Sequence, residues 1–272
     1  MIDKQAIFVL GAQDPEMREI EKVLIDQGRT WVHAARHGAR CTPKTAYEAD
    51  GVVRVGRDAW ARPAVLLPRA SAVFVECTVC GHEPLLRVDH HHPGDPGFEM
   101  SPERFLDGSS LGQVLRLLER EPTEIQRLLA ASDHCLTAAY RGECPGVDPG
   151  ELLFLRASWQ AKISGRTLSD VIEGILDAAR RARHHRDSEL GESRFLDPSA
   201  VPRDLPEGAA YAGIPVRYRA LLMPQGELKE MLKGAAPDHI ERFMQEHRQA
   251  GRKVYGNPYR GYAGAYWPLA DQ

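Results

Sequence analysis

Residues 6–14, AIFVLGAQD, form a continuous apolar run that breaks at Gly-Ala-Gln-Asp and gives way to PEMREIEKVLIDQG. This pattern predicts a buried parallel-type strand followed by a helix, with Asp14 as N-cap, Pro15 in the first helical position and Gly28 as the stop. Shorter apolar stretches predict strands at Thr30–Ala34, Val52–Val55, Ala72–Val75 and Leu85–Val88. Strands alternating with helical segments indicate an α/β sheet, whose ligand site lies at the carboxyl ends of its strands.

After residue 108 the period changes. Leu111, Val114, Leu115, Leu117 and Leu118 recur at helical spacing, and TEIQRLLAASDHCLTAAYRG, DPGELLFLRASWQAKISG and TLSDVIEGILDAARRARHH continue as helices, the last with Thr167 and Ser169 as cap candidates. Residues 186–210 are rich in Pro, Gly and charge and predict a linker or an ordered excursion. The remainder, AGIPVRYRALLMP, two short helical stretches and RKVYGNPYRGYAGAYWPL, predicts a small α+β unit ending in a Gly- and Tyr-rich loop. The expected fold is therefore α/β: a parallel-sheet domain with a helical block over residues 1–190, a linker at 191–208 and a small C-terminal α+β domain at 209–272. The apolar stripe of the helical block leaves the sheet, the small domain and a second copy of the chain, as in a homodimer, as alternative partners.

Composition narrows the function classes. Against 38 Asp+Glu the 272-residue chain carries 35 Lys+Arg, a net charge of −3, which excludes a globally basic nucleic-acid binder while leaving room for a local basic groove. With 43% hydrophobic and 27% charged residues, a self-sufficient core is expected rather than disorder. No apolar run is long enough to span a bilayer, and the five cysteines are an odd number, so a reduced, cytoplasmic protein is expected, with no membrane partner.

The most informative segment is LLRVDHHHPGD, residues 85–95, where a strand delivers Asp89, His90, His91 and His92 at its carboxyl end into a loop stiffened by Pro93 and Gly94. Imidazole and carboxylate so placed suit a divalent transition metal, the alternative being an inert surface histidine run. Two other strands end in acids: AIFVLGAQDPE supplies Asp14 and Glu16, and SAVFVEC supplies Glu76. In a parallel sheet these ends share one edge, so the four acids can converge. Taken singly, Asp14 also reads as a plain N-cap and Glu16 as a first-turn residue favoured by the helix dipole. Asp133 and His134, among small residues in AASDHCLTAAYRG, are candidates on a helix facing that edge, or a cap and a half-buried histidine.

Other segments carry weaker signals. Cys77-Thr78-Val79-Cys80 has zinc-knuckle spacing, but Cys135 and Cys144 are an irregular second half, so buried or near-site thiols are the preferred reading. Tyr255, Asn257 and Arg260, in YGNPYRGY, combine aromatic faces with a guanidinium and can stack a base and grip a phosphate, or else pack domains together. Arg36 and Arg40, with His33 and His37, add positive charge near the second strand's end, and Arg36, His92 and His134 are assigned to substrate.

The strand-borne VDHH at Val88–His91, the acid-ending strand at Glu76 and the opening strand–acid–helix unit at Asp14 and Glu16 resemble the DHH phosphoesterase family. Asp133, about forty residues further on, fills the place of that family's last acidic ligand. The resemblance covers residues 6 to about 140 and, by architecture, the small domain. It implies two divalent ions, commonly Mn²⁺, with Mg²⁺ or Zn²⁺ as alternatives, that activate water and neutralise phosphoryl oxygens. It further implies Asp14, Glu16, Glu76, Asp89, His90 and Asp133 as ligands, with His91 and Asp89 in catalysis, His91 contacting the scissile phosphate or holding a ligand in place. Glu76 stands where the family has an aspartate, the opening motif has one Asp and a Glu, and the Gly-Gly-Gly-His loop is absent.

The resulting expectation is a metal-dependent phosphohydrolase acting on a nucleotide or single-stranded nucleic-acid phosphate. Its rivals are a non-hydrolytic nucleotide-binding module on the same fold and a metal enzyme acting on modified nucleosides.

Overall fold

Asp14 adopts an extended backbone, and its carboxylate accepts the Met17 N–H at 2.7 Å, which starts a helix at Pro15 immediately after the first strand. That strand–cap–helix unit anchors the first of two compact units, Met1–His134 and Cys135–Gln272, in the computed structural model, which describes residues 2–55, 61–64, 71–187, 190–222 and 226–268. The first unit contains β1 (Ile7–Leu10), α1 (Pro15–Asp26), β2 (Thr30–Arg36), β3 (Ala39–Arg40), β4 (Gly51–Val55), β5 (Ala61–Ala64), β6 (Ala72–Val75) and β7 (Leu86–Val88). It then adds the helices α2 (Phe105–Gly108), α3 (Ser110–Leu117) and the larger part of α4 (Glu124–Tyr140), whose helical path breaks at Cys135.

The sheet order is β5-β4-β2-β1-β6-β7, with β3 paired to β2. Strands β2, β1, β6 and β7 run parallel, as the apolar runs predicted, and their carboxyl ends form one edge. Strand β4 departs from that pattern and runs antiparallel to β2, because the chain returns through the β2–β3 hairpin and a short loop rather than through a crossover helix. Alternation along β1 sends Phe8 and Leu10 into a core shared with Met17, Ile20 and Leu24 of α1 and Leu111 and Val114 of α3. Val9, by contrast, packs on the opposite face with Val32, Phe74 and Cys77. Burial on both faces is what makes this strand a continuous apolar run.

The second unit contains α5 (Pro149–Ser164), α6 (Leu168–His184), β8 (Ser193–Phe195), α7 (Leu205–Tyr211), β9 (Val216–Leu222), β10 (Glu227–Lys233), α8 (Pro237–Gln249), β11 (Lys253–Asn257) and β12 (Tyr262–Pro268). Its sheet order is β11-β12-β10-β9-β8. Residues 191–208, read as a linker, carry β8 and the start of α7, and Gly208 lets α7 approach α6 so closely that a Cβ there would stand 2.6 Å from the Ala178 Cβ. The stretch GELKEMLK, read as helical, is the strand β10. Leu228, Glu230 and Leu232 alternate onto one face, and neighbours hydrogen-bond it on both sides. The Gly- and Tyr-rich terminal segment is not a loop but the β11–β12 hairpin. No helix among the described residues is long and apolar enough to cross a membrane.

Candidate metal centre

Four elements of the first unit deliver acids and imidazoles to the carboxyl edge of its sheet. Glu16 comes from the first turn of α1, Glu76 follows β6, His90 and His91 follow β7, and Asp133 lies on α4. Glu16, Glu76, His90 and Asp133 each offer a ligand atom within 4.8 Å of the others, and Glu76, His90 and His91 form a second such group sharing two members with the first. Glu76 is held there at some conformational cost, with φ of +50° on a residue that has a side chain. Its backbone is fixed by a hydrogen bond from its N–H to the Val88 carbonyl at 3.0 Å. It is also fixed by contact with Gly11, where a Cβ would stand 2.3 Å from the Glu76 carbonyl oxygen. Only glycine at the end of β1 lets the two strand ends approach this closely.

A hydrogen-bond chain sets the protonation pattern of His90. His134 Nε2 donates to the Met100 carbonyl at 2.9 Å, and its Nδ1 lies 3.3 Å from His90 Nδ1. With both rings neutral, His134 Nδ1 must accept and His90 Nδ1 must donate, so His90 Nε2 carries a lone pair. Nε2 lies 3.0 Å from Asp133 Oδ2 and 3.4 Å from Glu76 Oε1, and the Glu76 oxygen is buried with no hydrogen-bond donor among the described residues. An imidazole nitrogen and two carboxylate oxygens so placed need a proton or a cation among them. Three donors of this chemistry suit a divalent transition metal.

The titration of the carboxylates carries the same signature. Burial, and then repulsion by Asp133, Glu76 and Asp14, raises Glu16 well above the usual range. Burial first, with Asp14 and Asp133 adding to it and His91 opposing it, pushes Glu76 up to about 8. Asp14 rises to about 6, through burial and then Asp133, against the Met17 N–H that it caps. Crowded buried carboxylates of this kind are a place for positive charge.

Asp89 is different. Burial acts to raise it, but a hydrogen bond from the His91 ring, the attraction of His91 and the backbone N–H groups of His91 and His90 overcome that and hold it at about 2. Its carboxylate accepts from His91 Nδ1 at 2.9 Å, from the N–H groups of His90 and His91 at 2.7 and 3.1 Å, and from the Tyr47 hydroxyl at 3.0 Å. Expected as ligand and catalyst, it holds the histidine loop and the His91 ring through these hydrogen bonds, and it is also a member of a group of mutually close donors with His92 and Asp95.

The remaining predicted residues are placed as follows. Asp14 is the N-cap of α1, electrostatically linked to Asp133 and Glu16. His134, expected at substrate, is 1% exposed and orients His90, its ring against Gly108. His92 is exposed, its N–H bonded to Asp95 and its ring edge-on to Tyr47, and Asp89, His92 and Asp95 form a further group of mutually close donors. Arg36 is on the surface, paired with Glu48. Tyr255, Asn257 and Arg260 belong to the second unit, where Tyr255 stacks on Tyr266 and Arg260 lies over Tyr262. Asn257 is fully buried and caps the hairpin turn by accepting the N–H groups of Tyr259 and Arg260. Cys77 is buried and donates to the Val9 carbonyl, and Cys80 is exposed, while Cys135 and Cys144 lie 3.3 Å apart in the second unit.

Several supporting residues carried no sequence signal. Tyr47 reaches Asp89 across 42 residues, and Gln113 binds the carbonyls of Asp89 and Gly108. Gly11 and Gly108 matter only through what a Cβ would strike.

These observations define a mixed α/β protein with a parallel-rich sheet and a buried acid-and-imidazole cluster at its carboxyl edge. In comparison with known proteins, no family model matches the chain and no curated protein matches it. Among solved structures it is similar to a pGpG-specific phosphodiesterase, PggH from Vibrio cholerae, with a TM-score of 0.37 and 10% identity, over 98% of this chain and 94% of that one. A likeness this distant fixes neither family nor activity.

Proposed function

We propose that the chain is a metal-dependent phosphohydrolase of the DHH phosphoesterase type, acting on a phosphate ester of a nucleotide or short single-stranded nucleic acid. The observation that supports this most is His90 Nε2 facing Glu76 and Asp133 within a cluster of raised carboxylates. Glu16, Glu76, His90 and Asp133 would hold one divalent ion, and His91, with Glu76 shared, would take part in holding a second. Such ions acidify water and neutralise phosphoryl oxygens. Asp89 keeps the His91 ring oriented with its lone pair available at Nε2, where it can bind a ligand or accept a proton. His134 does the same for His90, and Tyr47 keeps Asp89 in place.

The reading is tested with Mn²⁺-loaded protein on a panel of nucleoside phosphates, linear dinucleotides and short single strands. Hydrolysis that is abolished by chelation and by His90→Ala or Glu76→Gln supports it. Metal-loaded wild type that binds nucleotide without turnover rejects it in favour of a binding module.

A further inference from the structure

Arg40 ends the short strand β3, opposite Ala35 of β2, on the side of β1 away from Glu76 and His90. Its Nε and Nη2 are shielded from solvent and make no hydrogen bond among the described residues. Those two atoms form the side-on fork of a guanidinium, the edge that takes two oxygens at once. The same edge is filled elsewhere in this chain, where Arg156 Nε and Nη2 bind the two oxygens of Glu207 at 3.0 and 2.6 Å. The carboxylate nearest in charge to Arg40 is Glu21, but it is engaged by His33 Nε2 at 3.2 Å and accepts nothing from the Arg40 fork. The other charged groups acting on Arg40 are Arg18 of α1 and Asp14 at the N-cap of that helix, so the guanidinium is electrostatically in reach of the metal centre's edge. Arginine does not shed its charge, and a buried charged donor left unmade is costly. An oxyanion that arrives with the substrate would complete it.

We propose that Arg40 binds a second phosphoryl group of the substrate, one other than that at the carboxylate-and-histidine centre, through its Nε–Nη2 fork. The assignment to substrate rests on the phosphohydrolase reading above. It narrows the substrate to molecules with two separated anionic groups, such as a dinucleotide bearing a terminal phosphate, and it transfers to Arg40 the role that the sequence assigned to Arg36.

Two measurements decide it. The first needs no activity: the melting temperature of metal-free protein is compared in millimolar inorganic phosphate and in chloride of equal ionic strength. Wild type and Arg36→Gln should be raised by phosphate and Arg40→Gln should not; an equal rise in Arg40→Gln, or none in wild type, overturns the proposal. In chloride, Arg40→Gln should melt no lower than wild type, since it removes an unmade buried donor, whereas a structural arginine would leave a less stable protein. Arg40→Lys, which keeps the charge without the fork, serves as a second variant and should keep only part of the phosphate effect.

The second is kinetic. For a dinucleotide with a 5′-terminal phosphate, Arg40→Gln should raise KM about tenfold or more with metal content unchanged, while the same dinucleotide lacking that phosphate is affected little. Equal effects on both substrates overturn the proposal. If wild type hydrolyses nothing, the phosphohydrolase reading fails, and the phosphate-dependent melting still decides whether Arg40 is an anion site.

Discussion

Loading the centre with metal must expel protons. At pH 7 Glu76, pushed up to about 8, is about nine-tenths protonated, Asp14, at about 6, is about one-tenth protonated, and Glu16 is raised well above the usual range. Metal ligation requires the ionised carboxylates, so binding of Mn²⁺ at pH 7 should release about one proton per chain from Glu76. Calorimetric titration of metal-free protein in buffers of low and high ionisation enthalpy reads that number as the slope of the observed enthalpy. At pH 9 Glu76 is about nine-tenths ionised, and its share of the release should fall to about a tenth of a proton. The sign also fixes the stability of the metal-free protein. Carboxyls whose folded values are raised favour folding most at low pH. Their contribution is lost as pH rises through about 6 for Asp14 and about 8 for Glu76. Each pKa unit is worth about 1.4 kcal/mol, so Asp14 alone, moved from 3.8 to about 6, accounts for about 3 kcal/mol. Metal-free protein should therefore melt lower at pH 8 than at pH 5, with Mn²⁺ reversing the difference. Binding of Mn²⁺ at pH 7 with less than about half a proton released would refute the placement of these carboxylates around the ion.

Other consequences are read in single variants. His134→Ala removes the acceptor that fixes the His90 tautomer and should weaken Mn²⁺ affinity about 10- to 100-fold in equilibrium dialysis, with the fold retained by circular dichroism. Gly108→Ala places a Cβ 2.3–2.8 Å from His134 ring atoms and should cost about 1–3 kcal/mol in urea unfolding while also weakening metal binding. Tyr47→Phe removes a donor to Asp89 that three other hydrogen bonds back up, and should cost only about 1 kcal/mol, measured the same way.

How legible the molecule was in its sequence differed by level. The parallel strands were readable because they are buried on both faces and therefore appear as unbroken apolar runs, as at Phe8–Leu10. The acids and histidines of the centre were readable because each sits within a few residues of a strand end or helix start, and the α/β topology brings such positions to one edge. Strand β10 misled because Lys229 and Lys233 alternate with apolar residues in a stretch that also fits helical spacing, and only its pairing partners decide between the two. Residue roles were the least legible. Asp89 and His134 were identified as belonging to the centre, but whether a carboxylate faces a metal or holds a histidine depends on donors such as the Tyr47 hydroxyl and acceptors such as the Met100 carbonyl. Neither lies near its partner in sequence. Arg36 and Arg40 are indistinguishable by type and neighbourhood, and they separate only when Glu48 is seen to neutralise one on the surface while the other is shielded with its fork unmade.

The central claim is that Glu16, Glu76, His90 and Asp133 hold a divalent ion. Its most direct test is elemental analysis of protein equilibrated with Mn²⁺ and desalted, comparing wild type with His90→Ala and Glu76→Gln. The account predicts metal retained by wild type and lost from both variants while their folds persist. Wild type that emerges without metal, or variants that retain as much as wild type, would contradict it.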